Sequence, residues 1–233
     1  MAAFLRFLLG VCLLPMCWAF LRVFLDAVSI AGETSAFSAE VIALLGGIAA
    51  FILCWAAITR PVRAYVLGHE LTHALWGLVF GARPSDLKVG ANGGSVRLTK
   101  TNVLITLAPY FFPFYTFIVI VVGLITYAFL RPLPYLPLWM FLIGFTWAFH
   151  ILFTMQTLCE RQPDVKIYGR VFSWSIIFLA NLIIVLVWLA CATSYTFSAM
   201  YSSSISHISN SYMCVGSSIW SAVKFIYIKI KGE

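Results

Sequence analysis

Long apolar runs recur along the whole chain and constrain its fold more than any other feature. Of the 233 residues, 62% are hydrophobic and only 10% are charged, whereas soluble domains carry about 25% charged residues. A helix needs about 20 mainly apolar residues to cross the roughly 30 Å hydrocarbon core of a bilayer. We therefore predict an all-α polytopic membrane protein, a single integral-membrane domain over residues 1–233. Its transmembrane helices, about six in number, are predicted at residues 3–25, 41–59, 62–80, 103–130, 136–157 and 171–192.

Polar stretches separate these segments and indicate where the chain leaves the apolar phase. Residues 26–40 are predicted to form an exposed loop. In residues 82–102, the run Gly90-Ala91-Asn92-Gly93-Gly94 precedes an alternating pattern, which favours a short membrane-associated β-hairpin. A second polar loop covers residues 159–170, and only two crossings separate it from the first. We therefore expect both loops on the same membrane face. Residues 193–233 form a Ser-rich tail with a basic end, which resembles an interfacial anchor.

The formal net charge of +7 does not indicate a nucleic-acid partner. The 15 Lys and Arg residues are scattered singly or in pairs near segment ends, as expected for charges that orient transmembrane helices. We predict no nucleic-acid binding. The expected partners are the lipid bilayer and other membrane proteins.

The third apolar segment contains a polar cluster, His69-Glu70-Leu71-Thr72-His73. A charged side chain at the centre of a membrane costs about 2.5–3.5 kcal/mol on insertion scales, so three such groups require an explanation. Residues i and i+4 lie on one face of a helix, where His69 and His73 can both bind one Zn²⁺. Glu70 lies at the edge of that face and can activate a zinc-bound water as general base.

A catalytic zinc usually takes a third protein ligand and keeps one position open. Asp164 is the preferred candidate, because it lies at the start of the sixth segment and is expected on the same side of the membrane as the hairpin. Glu160 and His150 remain alternatives. Asp164 could instead cap a helix or pair with Arg161 or Lys166, and a histidine inside an apolar helix often only packs.

Three stretches of the chain resemble the site-2 protease family of intramembrane zinc metallopeptidases. They are Leu67-Gly68-His69-Glu70-Leu71-Thr72-His73-Ala74-Leu75 with Gly81, Gly93-Gly94-Ser95-Val96 with Leu107-Ala108-Pro109, and Gln162-Pro163-Asp164 with Gly169. The resemblance covers about residues 62–192 and implies a compact member that consists of the catalytic core alone. The family usually has Gly directly after the Asp, where this chain has Val165.

The resemblance implies an enzyme that hydrolyses peptide bonds in or near transmembrane segments of other proteins. It assigns Glu70 as the base, and His69, His73 and Asp164 as ligands of a Zn²⁺ cofactor. The hairpin would pair with an unwound substrate, and the site would lie nearer the cytosolic side of a multi-pass protein of the cell (inner) membrane. The alternative is a catalytically inactive relative that binds or chaperones membrane proteins. Neither the substrate nor the oligomeric state follows from the sequence.

Overall fold

A computed structural model describes residues 1–35, 38–57, 60–90, 93–160 and 162–231. It is about 81% helical, with one small sheet. The elements in chain order are α1 (Ala2–Ser35), α2 (Ala39–Ala57), α3 (Val62–Val79), β1 (Pro84–Gly90), β2 (Gly93–Leu98), α4 (Val103–Leu107), a 3₁₀ turn (Ala108–Tyr110), α5 (Phe114–Phe129), α6 (Leu136–Cys159), α7 (Pro163–Tyr168), α8 (Arg170–Ala192) and α9 (Phe197–Lys231).

Several of these helices are long and apolar enough to cross a membrane. Within the described residues, α1, α2, α6, α8 and α9 meet this condition. A sixth span results if α4, the 3₁₀ turn and α5 are counted together, although the chain bends there by 84°. Pro109 and Pro113 lie at this bend, where proline cannot continue a helix. The chain is therefore an all-α membrane protein with a two-stranded sheet.

The observed spans differ from the predicted segments in two places. Over the described part of the chain, α3 is not among the helices that qualify, because its polar cluster lowers its mean hydropathy. The tail instead forms α9, a helix of 35 residues that does qualify. The loop predicted at 26–40 was wrong over residues 26–35, which continue α1. Residues 36–37, 58–59, 91–92, 161 and 232–233, which belonged to predicted elements, lie outside the described residues.

The chain divides into two compact units, one of residues 1–35 with 169–233 and one of residues 36–168. In the first unit, α1 packs against α8 and α9. Its core consists of Val23, Ala27, Leu186, Leu189 and Tyr195. The single integral-membrane domain remains a prediction.

In the second unit, α2 packs closely along α6. A Cβ on Gly47 would overlap the carbonyl oxygen of Phe141, and one on Gly144 would overlap that of Leu44. Glycine thus allows the two backbones to touch, as small residues do at helix interfaces in membranes. The close contact makes α2 and α6 a rigid pair.

An aromatic cluster fixes α3 against α6. The ring of Tyr65 stacks on Phe153, with centroids 4.7 Å apart and planes 7° apart. Phe153 and Phe149 belong to a buried core that also contains Phe51 of α2. The helix that carries the polar cluster is therefore held by packing one turn before His69.

The hairpin of β1 and β2 packs against the other side of α3. The strands are antiparallel, with Val89 opposite Gly94 and Lys88 opposite Ser95. The register shifts between Ser85 and Lys88. The predicted hairpin is confirmed, and it lies beside the polar cluster.

Candidate metal centre

Helix α3 directs both histidines of the cluster at one carboxylate. The Nε2 atoms of His69 and His73 each lie 3.6 Å from Oδ2 of Asp164. The three ligand atoms all fall within 4.8 Å of one another. Asp164 lies 91 residues after His73 in the chain, so α7 brings it to the cluster through the fold.

These distances suit ligands around a shared ion better than direct hydrogen bonds. A charge-assisted N–H···O bond measures about 2.7–2.9 Å. Ligand atoms at 2.0–2.1 Å from a tetrahedral zinc lie roughly 3.3 Å apart. The 3.6 Å spacing of the Nε2 and Oδ2 atoms is closer to the second value. Two imidazole nitrogens and one carboxylate oxygen are also the donor types that a catalytic zinc takes, so the residues fit the metal.

A backbone carbonyl orients the ring of His73 for this role. Nδ1 of His73 lies 2.9 Å from the carbonyl oxygen of Ile105. A carbonyl oxygen only accepts, so Nδ1 carries the hydrogen and donates it, which leaves the Nε2 lone pair directed at Asp164. The side chain of Asn102 caps α4 by accepting from the Ile105 amide at 2.9 Å, and this cap fixes the residue that provides the carbonyl.

Two tyrosines orient the other ligands. The hydroxyl of Tyr110 donates to Oδ2 of Asp164 at 3.0 Å. The hydroxyl of Tyr65 lies 3.5 Å from Nδ1 of His69. Sequence reasoning did not identify either tyrosine. Tyr65 is four residues before His69 and therefore on the same helix face, a signal that was present, whereas no local pattern marks Tyr110.

Asp164 is the second residue of α7 and partly exposed. It is inside the helix rather than capping it. Lys166 does not lie within the 4.0 Å ion-pair distance of Asp164, and Arg161 is outside the described residues. Burial opposes ionisation of Asp164, but the adjacent imidazoles of His69 and His73 outweigh it and hold the pKa of the carboxyl below its usual range. Asp164 is therefore anionic at neutral pH, as a metal ligand must be.

Glu70 is buried beside the histidines, with 7% of its surface exposed. The β2 strand covers it closely. A Cβ added to Gly94 would lie 2.8 Å from Cγ of Glu70 and 2.6 Å from Cγ1 of Val66. The hairpin thus confines this carboxylate next to the ligand cluster.

The cluster opens into a cavity of about 860 Å³. Its walls combine β2, the polar face of α3, the end of α6 and the start of α7. Gln156, Thr157 and Glu160 provide polar groups on α6. The hairpin and Asp164 therefore line the same space.

The other candidate third ligands are near this cluster but not part of it. Among the described residues, the group of metal-type ligand atoms contains neither His150 nor Glu160. His150 is 7% exposed, and its Nε2 has no hydrogen-bond partner there. Glu160 lines the cavity and accepts from Nε2 of Gln156 at 3.4 Å.

Comparison with family models, with curated proteins and with solved structures finds no match for this chain. Over the residues that the structure describes, the fold defines a helical membrane protein with five or six helices apolar enough to span a bilayer. The arguments about its chemistry rest on the geometry of His69, Glu70, His73 and Asp164.

Proposed function

We propose that the chain is an intramembrane zinc metalloendopeptidase of the site-2 protease type. It hydrolyses peptide bonds in or near the transmembrane segments of other membrane proteins. The observation that carries this proposal is the convergence of His69, His73 and Asp164, whose ligand atoms lie within 4.8 Å of one another, beside the buried carboxylate of Glu70.

His69, His73 and Asp164 are the three residues that hold the zinc. Bound zinc supplies Lewis-acid chemistry and lowers the pKa of a coordinated water towards about 7. The hydrogen bond from His73 Nδ1 to the Ile105 carbonyl fixes one imidazole. Tyr110 fixes the carboxylate from the other side. Such outer contacts typically change metal affinity by about 10- to 100-fold.

Glu70 acts as the general base and then as the general acid. Its carboxylate accepts a proton from the attacking water and delivers it to the nitrogen of the leaving amine. Burial under β2 keeps this carboxylate away from bulk solvent. A purely structural role gives no reason to bury an acidic side chain next to two imidazoles, since an unpaired buried charge destabilises the fold.

The β2 strand provides a surface for an extended substrate. Gly94 lies opposite Val89 in the register, and alternate residues of an edge strand direct their amide and carbonyl groups away from the partner strand. A peptide that adds to this edge would be held by backbone hydrogen bonds. Its scissile bond would then lie over the cluster, because Gly94 and Val96 line the same cavity as His69 and His73.

The decisive experiment compares zinc content with cleavage in purified protein. Wild type is loaded with zinc in detergent, dialysed, and assayed for metal per chain and for cleavage of a transmembrane reporter. We expect one zinc per chain and cleavage. Glu70→Gln should retain zinc and lose cleavage, since the amide cannot accept the proton. Asp164→Asn and His73→Ala should lose zinc.

Glu160→Gln is the matched control, because it removes a carboxylate that lines the same cavity outside the ligand cluster. It should keep both zinc and cleavage. His150→Ala should also keep zinc. A wild-type protein without zinc after repletion would refute the proposal. Zinc-loaded wild type that cleaves no reporter would support the inactive, substrate-binding relative instead.

A further inference from the structure

An apolar groove of about 600 Å³ runs between α1 and α9 in the first compact unit. This volume is within the roughly 300–1,000 Å³ range of small-molecule sites. Both helices are long and apolar enough to cross a membrane. The groove is lined by Val11, Leu14, Pro15, Trp18, Arg22, His207, Asn210, Ser211, Cys214 and Val215. It takes no part in the proposed protease site.

The two helices that form the groove run antiparallel. The groove has one apolar end and one polar end. The hydroxyl of Tyr212 donates to the carbonyl oxygen of Cys12 at 2.7 Å. Nε2 of His207 lies 2.7 Å from Oδ2 of Asp26. An early residue of α1 is therefore beside the middle of α9, and a later residue of α1 is beside the first third of α9. Arg22 and His207 lie together at the polar end.

The polar end offers a guanidinium that lies near the Asp26 carboxylate but makes no direct ion pair with it. Arg22 is exposed and, among the described residues, makes no ion pair within 4.0 Å. The nearby carboxylate of Asp26 already accepts from Ser203 Oγ at 2.9 Å and binds His207. A guanidinium is the group that proteins use to bind phosphate in a bidentate geometry. The free end of Arg22 therefore suits a phosphate.

The length of the groove matches one leaflet of a bilayer. From Val11 to Arg22, α1 rises by about 16 Å at 1.5 Å per residue. Half of a hydrocarbon core of about 30 Å is about 15 Å. An acyl chain in the apolar part would thus place the phosphate of its headgroup beside Arg22.

We propose that this groove binds one anionic phospholipid, with an acyl chain along Leu14, Trp18 and Val215 and its phosphate on Arg22. This site is independent of the proposed protease activity. It can be tested whether or not the chain cleaves anything.

Trp18 provides the reporter, because brominated acyl chains quench a tryptophan that they touch. The full chain is reconstituted in vesicles of phosphatidylcholine that contain a small fraction of brominated phosphatidylglycerol or, in parallel, of brominated phosphatidylcholine. Subtracting the signal of Trp18→Phe isolates Trp18 from the other tryptophans. We expect Trp18 to be quenched with an apparent affinity about tenfold higher for phosphatidylglycerol, because the choline cation of phosphatidylcholine offsets the charge of its phosphate and repels Arg22.

Arg22→Gln should abolish the preference for phosphatidylglycerol. The matched control is Arg131→Gln, which removes one cation from the segment between α5 and α6 and lowers net charge equally. It should keep the preference. Equal quenching by both lipids, a preference that survives Arg22→Gln, or an equal loss in Arg131→Gln would each overturn the proposal.

A second variant keeps the test valid if Arg22→Gln does not fold. Leu14→Phe adds a ring to a side chain that is 50% exposed in the groove, so the fold tolerates it. It should weaken the Trp18-dependent quenching by both brominated lipids. Unchanged quenching in a folded Leu14→Phe protein would mean that the lipid does not occupy the groove.

Discussion

Replacing Gly94 with alanine should separate catalysis from metal binding. The new Cβ would lie 2.6 Å from Val66 Cγ1, 2.8 Å from Glu70 Cγ and 2.8 Å from the Lys88 carbonyl oxygen. Because the Lys88 contact is with backbone, a change of side-chain rotamer cannot relieve all three. The two α3 contacts require the hairpin to retreat from α3 by roughly 0.8 Å before the nearest becomes ordinary, and the Lys88 contact requires β1 and β2 to shift against each other. Overpacking of this kind costs about 1–3 kcal/mol.

The retreat moves β2 away from Glu70 but leaves the ligand cluster in place. A displacement of about 1 Å at a substrate-positioning element can lower a rate by about 100-fold. We expect Gly94→Ala to cleave a transmembrane reporter about 100-fold more slowly than wild type and to keep its zinc. Zinc content is measured by mass spectrometry of the purified protein, and cleavage by initial rates on the reporter at a concentration well below saturation.

Gly90→Ala is the control in the same hairpin, because its added Cβ meets only the Gly93 carbonyl oxygen at 3.3 Å. It should cleave at close to the wild-type rate. Wild-type cleavage by Gly94→Ala would refute the claim that β2 positions the substrate. Loss of zinc from Gly94→Ala would instead show that the hairpin supports the ligands themselves.

Three further substitutions test the supports of the site and of the fold. Tyr110→Phe removes the donor to Asp164 Oδ2 and should weaken zinc affinity by about 10- to 100-fold, measured by competition with a chelator; unchanged affinity would exclude this support. His150→Phe removes a buried imidazole whose Nε2 has no partner among the described residues. The thermal unfolding temperature in detergent should therefore not fall. A marked drop would show that His150 has a structural partner. Gly144→Ala would overlap the Leu44 carbonyl and should destabilise the α2–α6 pair by about 1–3 kcal/mol, measured by unfolding in denaturing detergent; an unchanged midpoint would contradict the close packing.

The apolar pattern predicted the membrane class but not every helix. Hydropathy located α2, α6 and α8, which are nearly uniform apolar runs. It failed at residues 26–35, where Asp26, Gly32 and Ser35 indicated a loop although α1 continues. Asp26 is compensated by Ser203 and His207, which are more than 170 residues away. A local pattern contains no information about such partners.

Some features of the candidate site could likewise be predicted from the sequence, and others could not. The spacing of His69 and His73 is local, so the sequence alone placed them on one face of α3. Asp164 was selected by enumerating carboxylates and counting crossings, and the structure brings it to 3.6 Å from both rings. The carbonyl of Ile105 could not be predicted, because every residue has one and only the fold decides which carbonyl meets His73.

The polar residues of α3 and of the cavity beside it explain how water could reach the proposed site. Hydrolysis consumes water, yet α6 and the bent α4–α5 pair around the site are strongly apolar. At 1.5 Å per residue, His69 lies about 10 Å from the start of α3. The cavity of about 860 Å³ reaches that depth and has Gln156 and Glu160 along its wall. Polar walls of this kind would let water reach Glu70, so the residues that make α3 too polar to count as a span are those that the proposed hydrolytic site requires.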